Sequence, residues 1–224
     1  MPTYRHHARR VLVLILSLFA LATAPASADV LRVDANVVTP GDGTSWAAAF
    51  DDLRDALATA VLGDEVWVAA GTYAPSDTVD VSASFDVPSG VRLYGGFAAV
   101  ETLLAQRDPA TNVTVLTGDL GTPGDGSDNA ANVLVADGVD TNTVIDGFTV
   151  TGGAGAGPDS TASGAFAGVR GGGLFVLNGS PRVRNVRFVA NGSRDTGMWG
   201  GGAAVLGPAS APVFENVVFE RNTA

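Results

Sequence analysis

The sequence predicts an all-β fold, specifically a right-handed parallel β-helix with a capping helix at its N-terminal end. Two observations lead to this prediction. Short apolar runs alternate with glycine-rich turns after residue 63, and the C-terminal half repeats itself at a nearly constant spacing. Apolar runs bounded by turn residues are typical of strands. A fixed period of roughly 20–50 residues is typical of solenoids, in which each unit buries its apolar face against its neighbours.

Residues 1–28 have the pattern of a secretory signal peptide. Arg5, Arg9 and Arg10 precede an apolar run at residues 11–24, and small residues at positions 26 and 28 provide a cleavage site. The run is short for a bilayer span, and no second apolar run of about 18 residues follows it. We therefore expect a secreted or cell-surface protein with no transmembrane segment after cleavage.

The composition after this leader excludes several classes of function. Both histidines lie in the leader, and the chain has no cysteine and a formal net charge of −10. An acidic balance argues against nucleic acids and anionic membranes as partners. The missing residue types exclude disulfides, thiolate metal sites, and catalysis that depends on histidine or cysteine.

Residues 29–63 are predicted to form an N-terminal cap, made of a short strand and one helix. Apolar residues recur at helical spacing over residues 45–62, with Ser45 as the N-cap and Gly63 at the end. An amphipathic helix of this kind can cover the unpaired strand edges at the end of a β-helix. We expect its Trp46 and Phe50 to lie on the first coil, near Trp67.

Residues 64–224 are predicted to form the coils of the β-helix. Residues 181–191 align with residues 212–222 at an offset of 31, and residues 171–176 align with residues 200–205 at an offset of 29. A weaker copy at residues 145–150 aligns with residues 183–188. The apolar columns of this alignment are Ile145–Val183–Phe214, Phe148–Val186–Val217 and Val150–Phe188–Phe219.

Polar residues form columns of their own. The alignment places Asn185 over Asn216 and Asn191 over Asn222. Stacked amides can donate to and accept from one another, so we interpret these asparagines as a structural ladder, with ligand binding as the alternative. A further outward column contains Asp146, Arg184 and Glu215, whose opposite charges attract across adjacent strands. We therefore expect Arg184 to have a structural role.

The C-terminal end of the alignment has no capping segment after Asn222. Solenoids normally need atypical terminal repeats, because the last coil otherwise exposes its apolar side chains and strand edges. We expect the 224 residues to be the N-terminal part of a longer protein. The alternative is a short protein that self-associates end to end.

The repeats resemble those of a known group of proteins. Phe-x-x-Asn motifs at residues 188–191 and 219–222 alternate with Gly-Gly-apolar motifs at residues 172–174 and 201–203. This alternation resembles the chlamydial polymorphic membrane proteins and related bacterial exported β-helix repeat proteins of the pectate-lyase-like superfamily. Further matching pieces lie at residues 42–46, 63–73, 93–97 and 146–150. The resemblance implies a β-helix fold, but not one function, because this fold hosts lyases, hydrolases, adhesins and stalks.

The leading functional hypothesis is a non-enzymatic secreted or cell-surface module, adhesin-like or structural, with a surface glycan or a protein receptor as the candidate partner. A carbohydrate-binding solenoid without turnover is an intermediate alternative. The alternative is an enzyme acting on an acidic polysaccharide. A glycoside hydrolase needs two facing carboxylates, for which the candidate pairs are Asp51 with Asp52 and Asp64 with Glu65. The resemblance implies that a lyase would combine an acidic calcium site with a basic residue, for which Arg92 or Arg107 is the candidate.

Two further groups of charged residues are candidates for binding. Asp119, Asp125 and Asp128 lie in one glycine-rich turn and offer oxygen ligands for a weak Ca²⁺ site, with a solvated loop as the alternative. Calcium is therefore the one cofactor that the sequence suggests. Arg182, Arg184 and Arg187 form an outward stripe that is suited to uronic acid carboxylates, but the stripe does not continue on the next coil.

Overall fold

The computed structural model describes residues 28–155, 171–192 and 200–223, and these residues are mostly β-strand. The predicted signal peptide lies outside them, apart from Ala28. The described strands are β1 Val30–Val33, β2 Glu65–Ala69, β3 Gly71–Tyr73, β4 Phe85–Asp86, β5 Arg92–Phe97, β6 Thr114–Thr117, β7 Leu134–Asp137, β8 Val144–Asp146, β9 Phe148–Thr151, β10 Leu174–Leu177, β11 Arg182–Arg184, β12 Arg187–Val189, β13 Ala203–Leu206, β14 Val213–Glu215 and β15 Val218–Glu220. The described residues also form one α-helix, α1, which spans Leu53–Thr59.

The strands form three sheets, and every pair of neighbouring strands is parallel. Sheet 1 has the order β1-β2-β5-β8-β11-β14, sheet 2 the order β3-β6-β9-β12-β15, and sheet 3 the order β4-β7-β10-β13. From β2 onward the chain therefore passes through sheets 1, 2 and 3 in the same sequence again and again. This topology is consistent with a parallel β-solenoid and confirms the prediction of a mainly β, parallel fold.

The register stacks apolar side chains from one turn of the chain directly on those of the next. In sheet 1, Ile145 pairs with Val183, which pairs with Phe214. In sheet 2, Phe188 pairs with Val150 on one side and with Phe219 on the other. Side chains at equivalent positions of adjacent strands touch, because neighbouring strands lie only about 4.8 Å apart. The core between the three sheets is built from these columns.

The predicted single helix over residues 45–62 is wrong. The structure has a short 3-10 helix at Trp46–Ala48, capped by Ser45, and then α1, whose N-cap is Asp52. Between the two helices the backbone forms hydrogen bonds with residues 32–34 and not within a helix. Phe50 N donates to Arg32 O, and Asp34 N donates to Phe50 O. These bonds to β1 and the loop after it take the place of helical ones.

The two aromatic residues of this segment lie in different places. Trp46 packs against a cluster that includes Trp67 and Phe97, and its indole N–H donates to Glu101 O. Phe50 packs against the main core instead. The segment is thus fixed by tertiary contacts on two sides. Helix α1 buries Leu53, Ala56 and Leu57 and contacts β1, β2 and β4. No helix in the described part of the chain is long and apolar enough to cross a membrane.

The core register gives a direct stability prediction. Replacing Leu93, which is fully buried in the sheet 1 column, by alanine should lower the free energy of unfolding by about 2–5 kcal/mol, because the cavity cannot close fully. The matched control is Leu103→Ala, since Leu103 is 63% exposed, and this change should stay within about 0.5 kcal/mol. Urea unfolding measures both values. Equal losses in the two variants would contradict the register.

Candidate functional site

The acidic turn predicted to bind calcium has its carboxylates engaged with its own backbone. Asp119 accepts from Gly124 N, Asp125 accepts from Ser127 N, and Asp128 accepts from Thr122 N. Asp125 is the N-cap of a 3-10 helix at Gly126–Asp128. Among the described residues, no group of three or more His, Cys, Asp or Glu side chains is placed to hold a metal ion. Calcium binding stays a prediction of the composition of this turn.

The first candidate hydrolase pair is tied into a local ion-pair cluster. Asp52 caps α1 by accepting from Arg54 N, and its carboxylate also accepts from the Arg54 guanidinium. Arg54 reaches Asp77 as well, at 2.6 Å, and these bonds raise the pKa of Arg54. Asp51, Asp52 and Asp77 all line one cavity of about 270 Å³. Within it, the Asp52 carboxylate is already bonded to Arg54.

The second candidate pair is also held by structural donors. Asp64 is buried and accepts from the backbone N–H groups of Asp29 and Val61, so it fixes the turn before β2. Glu65 accepts from the indole N–H of Trp67 at 2.8 Å and forms an ion pair with Arg92 at 3.3 Å. The Arg92 guanidinium further donates to Gly63 O. Glu65 and Arg92 thus belong to one surface pair.

Arg107, the second candidate base, instead belongs to a nearly buried ion pair. Its Nη2 lies 2.8 Å from Asp146 Oδ1, and the two side chains are only 14% and 8% exposed. The guanidinium also donates to Gly95 O and lies over the ring of Tyr94, 5.2 Å from its centroid. Gly147, with φ +89°, makes room for it, because a Cβ there would lie 2.5 Å from Arg107 Nη1. Sequence patterns missed this pair, since Arg107 lies in a loop outside the repeat.

This ion pair begins a chain of polar contacts that crosses three turns. Asn185 Nδ2 donates to Asp146 Oδ1 at 2.8 Å, and Asn216 Nδ2 donates to Asn185 Oδ1 at 2.7 Å. Asn185 and Asn216 have φ values of +49° and +53°, a left-handed conformation that asparagine tolerates better than most residues. These two amides therefore serve as turn formers and as links along the axis.

The second asparagine column lies at the turn that follows sheet 2. Asn191 is 1% exposed; it accepts from Gly153 N and donates to Val150 O, both on the preceding turn. It also donates to Asn222 Oδ1 at 3.0 Å, and Asn222 donates to Phe188 O. The asparagine side chains thus bond to backbone N–H and C=O groups that lose their hydrogen-bond partners where the chain bends. The Phe188 and Phe219 rings stack beside this column, with centroids 5.0 Å apart.

The column of Asp146, Arg184 and Glu215 is in register, but its ion pairs differ from the expected ladder. Arg184 Nε lies 2.8 Å from Glu215 Oε2, and its N–H is not directed at a hydrogen-bond acceptor. Asp146 takes Arg107 as its ion-pair partner. Arg187 pairs with Glu220 at 3.1 Å, so two arginines of the predicted basic stripe face carboxylates of the next turn, whereas Arg182 faces Val213.

A groove of about 550 Å³ lies beside the Asn185 column. One wall is the loop segment 104–110, and the floor is formed by Asn185, Arg187, Asn216 and Val218. Asp108 in the wall accepts from the Thr111 hydroxyl, and this hydrogen bond lowers the pKa of Asp108. The groove thus combines side-chain amides, guanidinium groups and one carboxylate with apolar surface from Leu104 and Pro109.

A second cavity of about 410 Å³ lies near the other asparagine column. Asp119 and Arg221 both line it, together with Asn191 and the turn residues 151–154. This cavity brings one acid of the predicted calcium turn into the same space as a basic side chain. Arg92 and Arg107, the two candidate bases predicted from the sequence, do not line this cavity.

Comparisons of this chain with protein-family models, with curated proteins and with solved structures find no match.

The nearly buried ion pair gives the second stability prediction. Replacing Arg107 by methionine should lower the free energy of unfolding by about 3–5 kcal/mol, because the Asp146 carboxylate then loses its charge partner in a poorly hydrated site. Adding Asp146→Asn should recover much of this loss, since the amide is neutral. The control Arg182→Met removes an exposed arginine and should stay within about 0.5 kcal/mol. A loss no greater than that of the control would contradict a structural role for this pair.

Proposed function

We propose that this chain is a right-handed parallel β-helix of the exported, pectate-lyase-like type, with repeats like those of the chlamydial polymorphic membrane proteins. The constant order in which the chain passes through three parallel sheets supports the proposal. Parallel crossovers within one sheet are right-handed in about 98% of cases, which supports the handedness. The contacts of α1 with β1, β2 and β4 support a role as cover for the N-terminal end.

We infer that the protein is exported by residues 1–28 and acts as a non-enzymatic, adhesin-like or structural module that binds a glycan at the cell surface or outside the cell. The groove beside Asn185 and Asn216 is the observation that carries this proposal. The amides of Asn185 and Asn216 donate and accept, the guanidinium of Arg187 is 57% exposed and has N–H groups beyond its ion pair with Glu220 for a ligand carboxylate, and the apolar wall suits the faces of sugar rings. These are the groups that recognise hydroxyl-rich and acidic ligands.

The engagement of the candidate catalytic acids supports a non-enzymatic role. Asp52, Asp64 and Glu65 each hold a helix, a turn or an ion pair in place. A general acid or nucleophile in a glycosidase must instead face the scissile bond, opposite a second carboxylate.

A polysaccharide lyase or hydrolase is the second candidate function. The cavity that Asp119 and Arg221 share is the observation that favours it, because lyase chemistry on an acidic sugar requires a base close to groups that neutralise the carboxylate. In that case turnover would depend on this cavity and not on the groove beside Asn185.

A combined binding and turnover experiment tests the proposed function. We expect the purified chain to bind at least one polysaccharide among pectin, alginate and chondroitin without releasing unsaturated products or new reducing ends. Arg187→Met should weaken this binding by roughly 10-fold, because it removes a charge-assisted hydrogen bond worth about 1.5 kcal/mol. Arg182→Met is the matched control, since Arg182 is exposed on the preceding strand and does not line the groove.

Several outcomes would decide against the proposal. Product release that is lost in Asp119→Asn or Arg221→Met would favour the lyase. Equal weakening by Arg187→Met and Arg182→Met would indicate diffuse electrostatic attraction rather than binding in the groove. Binding to none of the polysaccharides would leave no support for a glycan ligand of these classes.

A further inference from the structure

Asp64 is a buried carboxylate that accepts hydrogen bonds from backbone groups. The residue is 4% exposed and lies directly before β2. Its Oδ1 accepts from Asp29 N and its Oδ2 accepts from Val61 N, each at 2.9 Å. None of the ion pairs among the described residues includes Asp64. A carboxylate in such a place is costly without a positive partner, because neutral N–H groups offset only part of its lost hydration.

One of the two donors belongs to the first residue after the predicted signal peptide. The cleavage pattern places the cut inside the sequence, between Ala28 and Asp29. In the uncut chain Asp29 N is a neutral peptide N–H group, and after the cut the same nitrogen is an α-ammonium group. Glu65 N donates to Asp29 O at 2.8 Å, and Val30 pairs with Glu65, so strand pairing already holds this nitrogen beside the carboxylate.

We propose that Asp64 is the internal binding site for the N-terminus that removal of residues 1–28 creates, so that cleavage adds an ion pair to the fold. The cut is a hydrolysis by the signal peptidase of the exporting cell, and it consumes one water molecule. The C–N bond between residues 28 and 29 breaks, Ala28 becomes a carboxylate, and the proton of the new acid passes to the amine of Asp29. The inference rests on the proposed export but not on glycan binding.

The other charged groups around this nitrogen do not take over the role of Asp64. Glu65 is paired with Arg92 at 3.3 Å, and the Arg32 guanidinium donates to two backbone carbonyls. The side chain of Asp29 itself lies at an exposed residue. The new ion pair would join the start of β1 to the start of β2, the first two strands of sheet 1. The chain then reaches its full stability only after the leader has been removed.

A one-residue extension provides a matched control. The full chain is exported from a bacterial host, and the mass of the purified protein identifies its N-terminal residue. In the control, one glycine is inserted between Ala28 and Asp29, so that cleavage after Ala28 leaves the same charge about 3.8 Å further along the chain. The sequence contains no lysine, so the α-amino group of either cleaved protein is its only primary amine and can be followed by acylation.

We expect the unfolding equilibrium constant of the glycine-extended protein to be about 5- to 30-fold larger than that of the protein that begins at Asp29. Asp64→Asn should abolish this difference, because the amide carries no charge. The rate of acylation as a function of pH should give an α-amino pKa above the usual value of about 7.7–8.0 only in the protein without the extension. Its stability advantage should be complete below this usual value and lost as the pH rises through the raised pKa.

The possible failures are distinguishable. An N-terminal residue other than Asp29 would overturn the inference, and retention of the leader inside the cell would overturn the proposed export as well. Cleavage before Asp29 with equal unfolding constants and equal α-amino pKa values in the two proteins would overturn the ion pair alone. The pKa comparison requires no substitution at Asp64, so it decides the matter even where Asp64→Asn fails to fold.

Discussion

The structure depends on the in-register stacking of parallel strands, in which each turn of the chain buries its inward side chains only against the turns on either side. In sheet 1 this constraint places Ile145, Val183 and Phe214 in one column, and in sheet 2 it places Val150, Phe188 and Phe219 in another. No turn has a core of its own. Stability is therefore a property of neighbouring turns, and any end that lacks a neighbour is left with exposed core residues.

The same constraint determines where polar residues can lie. A parallel stack bends three times in each turn, and each bend removes backbone partners that a straight ladder would supply. Asn191 and Asn222 supply these partners from their side chains. Asn185 and Asn216 instead adopt left-handed backbone conformations at their bend, and their amides bond to polar side chains of the preceding turn. The loop that carries Arg107 adds the nearly buried Arg107–Asp146 ion pair beside the bend at which Asn185 lies. The groove lies where this loop stands beside the bend, so the proposed binding surface is a consequence of the stacking.

The sequence predicts the repeating part of the fold well, because a fixed spacing in sequence becomes a fixed register in space. The offset of 31 residues between residues 181–191 and 212–222 already implies which residues of β11 and β14 lie opposite each other.

The N-terminal segment is predicted less well. Its apolar spacing is helical, but hydrogen bonds from Phe50 to β1 interrupt the helix, and such bonds have no signal in local sequence. The Arg107–Asp146 pair was missed for the same reason, since the two residues are 39 apart and Arg107 has no counterpart in the repeat. The candidate catalytic acids were chosen by residue type. The residue type does not reveal which carboxylates already accept hydrogen bonds from structural donors.

Disulfide formation between introduced cysteines tests the stacking most directly, because the natural chain contains no cysteine to compete. Arg182 and Val213 are paired on adjacent parallel strands and both point outward. Cα atoms of such a pair lie about 4.8 Å apart, within the range that a disulfide bridges. In-register stacking predicts that Arg182→Cys combined with Val213→Cys forms an intramolecular disulfide under mild oxidation, identified by mass spectrometry of the linked peptides. It predicts that Arg182→Cys combined with Glu215→Cys, which is two residues out of register, does not. Efficient bridging of the second pair and not the first would contradict the register on which the whole structure depends.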